Sequence, residues 1–335
     1  MDEIERMVRV GLKKGIKNIA KELLCSIGMP WFLLQLYKAG RKSGLLIFKY
    51  HRVSSSADKK EYMGMPVDVF EQQMVFIKNN FKIVPIMEGV RAIREGDSDG
   101  IYASINFDDG YMDNYLYAFP VFKRHNIPAT IFLTTDFIGK RHAFWWDEVF
   151  SAVSSGHIDR EKMADAANGE LTGKKEEEIK YFIEGLRRKT SGARAAELSQ
   201  MLGWAEIREM NKHNISFGGH TKTHRNLCLL DDDEIKDELI GSKNIIEENI
   251  GQNIKEFSYP FGRFDKRVQS LVMEAGYECA RTSIKGINDK DTDRYALVSI
   301  DTGAAVKLSH LKMRIASIFL KGNRRKQCPG EIMRF

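Results

Sequence analysis

The sequence predicts an α/β barrel of seven or eight parallel strands. Two observations carry that expectation. From residue 45 onward, short apolar runs rich in β-branched and aromatic residues alternate with segments of helical period. That alternation is the pattern of parallel strands joined by crossover helices. Several of the apolar runs also end in aspartate, histidine or glycine, and strand C-termini are where barrel enzymes gather their chemistry. An open doubly wound sheet is the alternative reading of the same alternation.

Taken in order, residues 1–44 form a basic amphipathic segment. Ile4, Val8, Leu12, Ile16, Ile19 and Leu23 recur at helical spacing with Lys and Arg between them. Pro30-Trp31-Phe32-Leu33-Leu34 adds an apolar patch. Such a segment either caps a domain or lies on an anionic membrane surface. Strands are expected at 45–50, 81–85, 102–107, 128–133, 214–219, 254–259, 277–282 and 296–301. Helices are expected at 66–79, 86–95, 113–125, 231–250, 264–275 and 303–320. The stretch 140–212 is too long for a simple crossover. Its dense charge, as in Lys174-Lys175-Glu176-Glu177-Glu178, reads as a helical insertion. The barrel thus spans 45–320, and 321–335 is a basic tail.

Composition narrows the class. With 43% hydrophobic and 29% charged residues in 335, the chain is an ordinary globular one. Cys25, Cys228, Cys279 and Cys328 form no C-x-x-C pair, so neither a zinc knuckle nor a disulfide framework is indicated. That usage suits a reducing compartment. Lys and Glu interrupt the N-terminal apolar residues before a signal-type core forms, and no apolar run reaches membrane-spanning length. A cytoplasmic protein, held at the inner membrane face by its ends, is the expectation. Residues 1–42 hold nine Lys/Arg against four Asp/Glu, and 307–335 hold eight against one. The segment between them is net acidic, which argues against a nucleic-acid enzyme with a basic active face.

The chemistry-bearing residues sit at strand ends. Ile105-Asn-Phe-Asp-Asp-Gly-Tyr111 delivers Asp108 and Asp109 to the end of one strand. Neighbours on a strand point opposite ways, so the two acids are expected to have different tasks. One of them could equally cap the following helix. His220-Thr-Lys-Thr-His224 follows two glycines at another strand end. At that spacing, on a helical turn, two imidazoles share a side and can grip one metal ion. Two nitrogens and one oxygen with open positions make a catalytic rather than structural metal set. His51 ends the first strand and could donate a proton across the same mouth, or simply be hydrogen-bonded in the rim. Tyr259-Pro260-Phe261-Gly262 reads as a rigid rim loop with exposed aromatic surface, or as a plain turn. Trp145-Trp146-Asp147 is a second aromatic cluster, suited to sugar rings or to a core.

Phe107-Asp108-Asp109-Gly110-Tyr111, His220-x-x-x-His224 and Tyr259-Pro260-Phe261-Gly262, in this order, resemble the polysaccharide deacetylases of carbohydrate esterase family 4, the NodB homology domain. The likeness runs from about residue 45 to 301 and includes Ile127-Pro-Ala-Thr-Ile-Phe and Ala275-Gly-Tyr. It implies a distorted (β/α) barrel and a divalent metal, usually Zn2+, held by Asp109, His220 and His224. Asp108 would be the general base, and the Tyr111 N–H would help hold the oxyanion. Tyr259, Pro260, Phe261 and Trp146 would meet the sugar. Many members place an arginine two residues before the proline of the third motif, where it pairs with the base; here that residue is Ser258. A C-terminal Leu-x-His supplies the acid in many members, and Leu308-Ser309-His310 matches only as letters. Tyr50-His51 is similar to the circularly permuted poly-N-acetylglucosamine deacetylase-like branch, which favours His51 over His310 as the acid. The resemblance implies metal-dependent removal of N-acetyl groups from an N-acetylhexosamine in a glycan or lipid-linked glycan precursor. Hydrolysis of another non-peptide C–N bond and a catalytically silent glycan-binding role are the alternatives.

Overall fold

Every residue of Gly44–Tyr50 and of Ile101–Phe107 is buried, as two-sided parallel strands require. The computed structural model describes residues 28–40, 43–55, 64–96, 100–142, 144–154, 171–189, 199–303 and 307–321. The amphipathic pattern at 4–24 and the tail beyond 321 lie outside the described residues. In chain order the strands are β1 (Gly44–Tyr50), β2 (Arg52–Ser54), β3 (Gly64–Pro66), β4 (Lys82–Ile83), β5 (Ile101–Phe107) and β6 (Ala129–Leu133). There follow β7 (Arg141–His142), β8 (Ser199–Gln200), β9 (Ile215–Gly219), β10 (Glu256–Ser258), β11 (Cys279–Lys285) and β12 (Leu297–Asp301).

Seven of these strands close a parallel barrel in the order β1-β12-β11-β10-β9-β6-β5. The closure is the β1–β5 pairing, in register from Gly44↔Ile101 to Tyr50↔Phe107. That pairing excludes the open doubly wound sheet. The strand expected at 81–85 shrinks to the two residues of β4. It shares an edge of β5 with β6: Lys82 and Ile83 pair with Tyr102 and Ala103, while Thr130 and Ile131 pair higher up with Asn106 and Phe107. This split edge is one source of the barrel's distortion.

Strand alternation sorts the side chains into layers. Leu46, Phe48 and Tyr50 of β1 join Phe107, Phe122 and helix residues Phe70, Met74 and Ile77 in the main core outside the barrel. Tyr50 stacks on Phe107 with centroids 5.3 Å apart, and Phe70 meets both rings edge-on. The alternate residues Leu45 and Ile47 cluster with Tyr102, Cys279 and Leu297. Ile86, Val90 and Ile93 of helix Ile86–Arg94 complete that cluster and plug the barrel floor. Above the plug the same faces turn polar: Asn106 donates to Ser104 Oγ at 3.1 Å, and the Thr130 and Ser216 hydroxyls meet at 2.8 Å. The interior thus grades from apolar at the floor to polar at the mouth.

The 140–212 stretch contains helices Trp145–Ser154, Glu176–Lys189 and Trp204–Asn211, and β7, before the first helix, pairs antiparallel with β8, before the third. Its first two helices pack around Val149, Ala152, Leu171, Ile183 and Leu186, a small core of their own. Pro30–Leu34 belongs to helix Met29–Ala39, which lies beside helix Leu308–Lys321. The expected helices 113–125 and 231–250 are each interrupted by a π turn, Asn114–Ala118 and Asp237–Gly241.

Candidate active site

Asp108 is the last extended residue after β5; its N–H donates to Tyr50 O at 3.0 Å and so extends the β1–β5 ladder. Asp109 then takes a left-handed backbone, φ 74°, which aspartate tolerates better than most residues. The turn re-aims the second carboxylate, so both acids face the mouth rather than opposite sides of the sheet. They are 4% and 2% exposed.

The two carboxylates have different surroundings. Asp109 Oδ1 lies 3.5 Å from His220 Nε2 and 3.3 Å from His224 Nε2. Neither Asp109 oxygen accepts a hydrogen bond among the described residues. A buried carboxylate with no donor is costly, on the order of several kcal/mol. A cation held among these three side chains would offset that cost. Tetrahedral ligand bonds of about 2.1 Å place ligand atoms about 3.4 Å apart, which matches the two separations observed. Asp109, His220 and His224 form a cluster whose candidate ligand atoms all lie within 4.8 Å of one another.

The histidines are aimed by their supports. His220 Nδ1 faces the Ser258 carbonyl at 2.6 Å, which fixes the proton there and leaves Nε2 toward Asp109. Gly219, one residue earlier, packs so closely that an added Cβ would lie 2.2 Å from Tyr277 Oη. The segment between the histidines is not the helical turn expected from their spacing. Thr221 and His224 have φ 67° and 62°, and the His224 N–H donates to Thr221 Oγ1 at 2.9 Å. Buried Glu238, from the π turn, accepts from Lys222 N at 2.7 Å, from Thr223 N at 3.0 Å and from the Thr223 hydroxyl. Glu238 therefore pins the loop that carries both imidazoles.

Asp108 is braced from β11. Arg281, 1% exposed, donates through Nη2 to Asp108 Oδ1 and to Ser258 Oγ, the latter at 2.6 Å. The guanidinium also lies 5.4 Å from the Phe132 ring centroid. Burial pushes the Asp108 carboxyl up, but Arg281, followed by His220 and His51, outweighs it and holds the group down at about 2. His51 Nε2 stands 3.8 Å from the other oxygen, Oδ2. Burial lowers the His51 pKa against the opposing pull of Asp109 and Asp108. His310 instead sits in helix Leu308–Lys321, which packs on helices Met29–Ala39 and Val67–Asn80.

Tyr111 pairs with Met201 in a bridge where Met112 N donates to Gln200 O and Leu202 N to Gly110 O. In such a pair the central N–H is not consumed by the ladder. Its side chain is fixed below the site. The hydroxyl donates to Asp147 Oδ2 at 3.3 Å and accepts from Trp146 Nε1 at 3.1 Å, and Arg52 lies 4.4 Å over the ring. Arg52 is itself ion-paired with Asp113 at 2.7 Å. Burial raises the Asp147 carboxyl to about 6, only partly offset by Arg52.

The aromatic residues divide. Phe261 adopts φ 57°, so the loop sends its ring toward the mouth, 4.6 Å from His224 and 5.8 Å from Trp146. The following Gly262 has φ 67°, and an added Cβ there would lie 2.5 Å from Ser283. Phe261, Trp145 and Trp146 line a cavity of about 700 Å³ that reaches His224 and is walled by helix Glu176–Lys189. Tyr259 goes the other way. It is 1% exposed, stacks on Phe264 and donates to Tyr295 O. Pro260 is buried as well. The expectation of an exposed rim therefore fails for Tyr259 and Pro260, because the left-handed Phe261 divides the loop. Arg281 and Glu238 are the site residues that the sequence motifs do not point to.

A closed parallel barrel carrying an Asp-His-His cluster beside an Arg-braced aspartate defines a hydrolase with a candidate metal centre at its mouth. The family model for polysaccharide deacetylase matches residues 95–280, and the chain belongs to that family. YxkH of Bacillus subtilis, named for the same family, is 24% identical over 262 residues, 78% of this chain and 72% of that one. The poly-beta-1,6-N-acetyl-D-glucosamine N-deacetylase of Staphylococcus epidermidis is 33% identical over 114 residues, 29% of this chain and 38% of that one. Among solved structures, the Streptococcus pyogenes deacetylase PplD, in complex with acetate, aligns with a TM-score of 0.58 at 19% identity. The alignment covers 81% of this chain and 98% of PplD.

Proposed function

We propose that the chain removes N-acetyl groups from N-acetylhexosamine units of a glycan, releasing acetate and leaving a free amine. The observation that carries this reading is the pairing of two differently treated carboxylates. Asp109 is buried without a donor between two imidazoles, and Asp108 is braced by Arg281 opposite His51. Zinc is the metal we propose, since two nitrogens and one oxygen at tetrahedral spacing suit it. Bound there, the ion would supply a water acidified to a pKa of about 7 and would polarise the acetyl carbonyl.

The protein groups then divide the remaining work. Asp108 Oδ2, left open by Arg281 on Oδ1, takes the proton of the attacking water. The Tyr111 N–H faces the developing oxyanion, a contact worth about 3–4 kcal/mol in comparable sites. His51 gives a proton to the departing nitrogen, without which an amide anion would have to leave. Phe261, Trp145 and Trp146 offer apolar faces for pyranose rings, and a cavity of about 700 Å³ has room for more than one sugar. The poly-beta-1,6-N-acetyl-D-glucosamine N-deacetylase name of one relative supports a polymeric N-acetylated substrate. We place the enzyme in the cytoplasm, in keeping with its cysteine usage. Acetate release from N-acetylglucosamine oligomers, compared with cyclic amides, tests the substrate class. Turnover of the cyclic amides alone would contradict it.

A further inference from the structure

Helix Met29–Ala39 lies outside the barrel, yet none of its residues before Lys38 is charged. Leu34 enters the core, whereas Phe32 and Leu36, one turn apart on another face, are each 54% exposed. A helix on a protein surface ordinarily turns polar residues outward. Tyr37 stacks on Phe319 with centroids 4.3 Å apart. This places the helix beside Leu308–Lys321, whose Leu320 is 68% exposed. The two helices carry Lys38, Lys312, Arg314 and Lys321 and not one Asp or Glu. Arg324-Arg325-Lys326 follows directly in sequence.

We propose that this helix pair is a docking surface for an anionic lipid membrane. Exposed apolar side chains on helices that carry cations and no acid of their own are what an interfacial segment presents to lipid headgroups and acyl chains, although Arg314 also faces Asp301 of β12. The fold brings helix Met29–Ala39 and helix Leu308–Lys321 together from distant parts of the sequence. A second copy is a poorer occupant, because a two-fold contact would set the same cations against each other. Residues 1–27 are net basic as well, and covering the patch with them would leave those charges unmatched. Among the described residues no helix is long and apolar enough to cross a membrane; the attachment proposed is a peripheral one. The inference does not depend on the deacetylase reading.

The test is co-sedimentation of the full chain with vesicles of phosphatidylcholine alone and of phosphatidylcholine mixed with phosphatidylglycerol. The wild type sediments with the mixed vesicles, not with the neutral ones, and added salt releases it. Combining Phe32→Asp, Leu36→Asp and Leu320→Asp weakens binding by about ten-fold or more, while thermal unfolding and turnover of a soluble glycan stay unchanged. Because folding is read by thermal unfolding, a failure of turnover in both proteins would touch only the deacetylase reading. Equal binding by the triple variant, or no binding by the wild type, overturns the proposal. So does a wild-type dimer that the triple variant dissociates, or lipid binding that appears only when residues 1–27 are removed.

Discussion

Arg281 donates to Asp108 across 173 residues of sequence, and the same Nη2 also reaches Ser258 Oγ. The family resemblance places an arginine for Asp108 two residues before Pro260, where Ser258 stands. The guanidinium instead enters from the neighbouring strand β11, and the small serine leaves room for it. Ser258↔Arg281 is a register pair of β10 and β11, so the substitution of one strand's arginine for the other's keeps the charge at the same level of the barrel.

Arg281→Met should remove both the orientation and the charge balance of Asp108. Breaking a buried pair by removing one partner costs about 3–5 kcal/mol of stability. Misplacing the base should lower kcat about a hundred-fold. Urea unfolding and steady-state kinetics on the same preparation check both. Wild-type kcat in a folded variant would remove Arg281 from the account.

His51 and His310 separate cleanly by mutation. His51→Ala should lower kcat by about a hundred-fold or more, the usual worth of a positioned proton donor. His310→Ala should leave kcat within about two-fold, because its helix packs away from the mouth. The reverse result would move the acid to the C-terminal helix.

Trp145 lines the cavity without touching His224 in a ring contact, unlike Trp146 and Phe261. Trp145→Ala should raise KM about three- to ten-fold for oligosaccharides, with kcat nearly unchanged. A fall in kcat at constant KM would place Trp145 in the machinery of the reaction instead.

Glu256 should give the protein a pH-dependent stability apart from the candidate metal ligands. Burial raises its carboxyl from 4.5 to about 7, against backbone N–H groups of Lys255 and Glu256 that lower it. The folded state therefore holds this proton more tightly than the unfolded chain does. Its contribution is complete below pH 4.5 and is lost as pH rises through about 7. The linked change is on the order of 3 kcal/mol. Glu256→Gln should flatten that slope, read from urea midpoints on either side of neutrality. An unchanged slope would show that Glu256 does not titrate in this window.

The fold was legible because the barrel strands are short, apolar and followed by turn residues, and both Asp108-Asp109 and His220-x-x-x-His224 are local motifs. Their backbone was less legible. Spacing suggested a helical turn between the histidines, whereas positive φ at Thr221 and His224, held by Glu238, makes a loop. Tyr259 and Phe261 looked equivalent in sequence, and only the left-handed Phe261 shows which ring faces the mouth. Arg281 leaves little trace in the sequence, because its partnership rests on strand register and not on proximity in the chain. An arginine within an expected barrel strand, Tyr-Glu-Cys-Ala-Arg-Thr, is the one signal in the sequence.

The most direct measurement is acetate release from N-acetylglucosamine oligomers by the protein as isolated, after complete chelation, and after zinc is restored. The account predicts turnover that falls to background on chelation, returns with zinc, and is absent from Asp109→Ala under all three conditions. Turnover that survives both chelation and Asp109→Ala would contradict it.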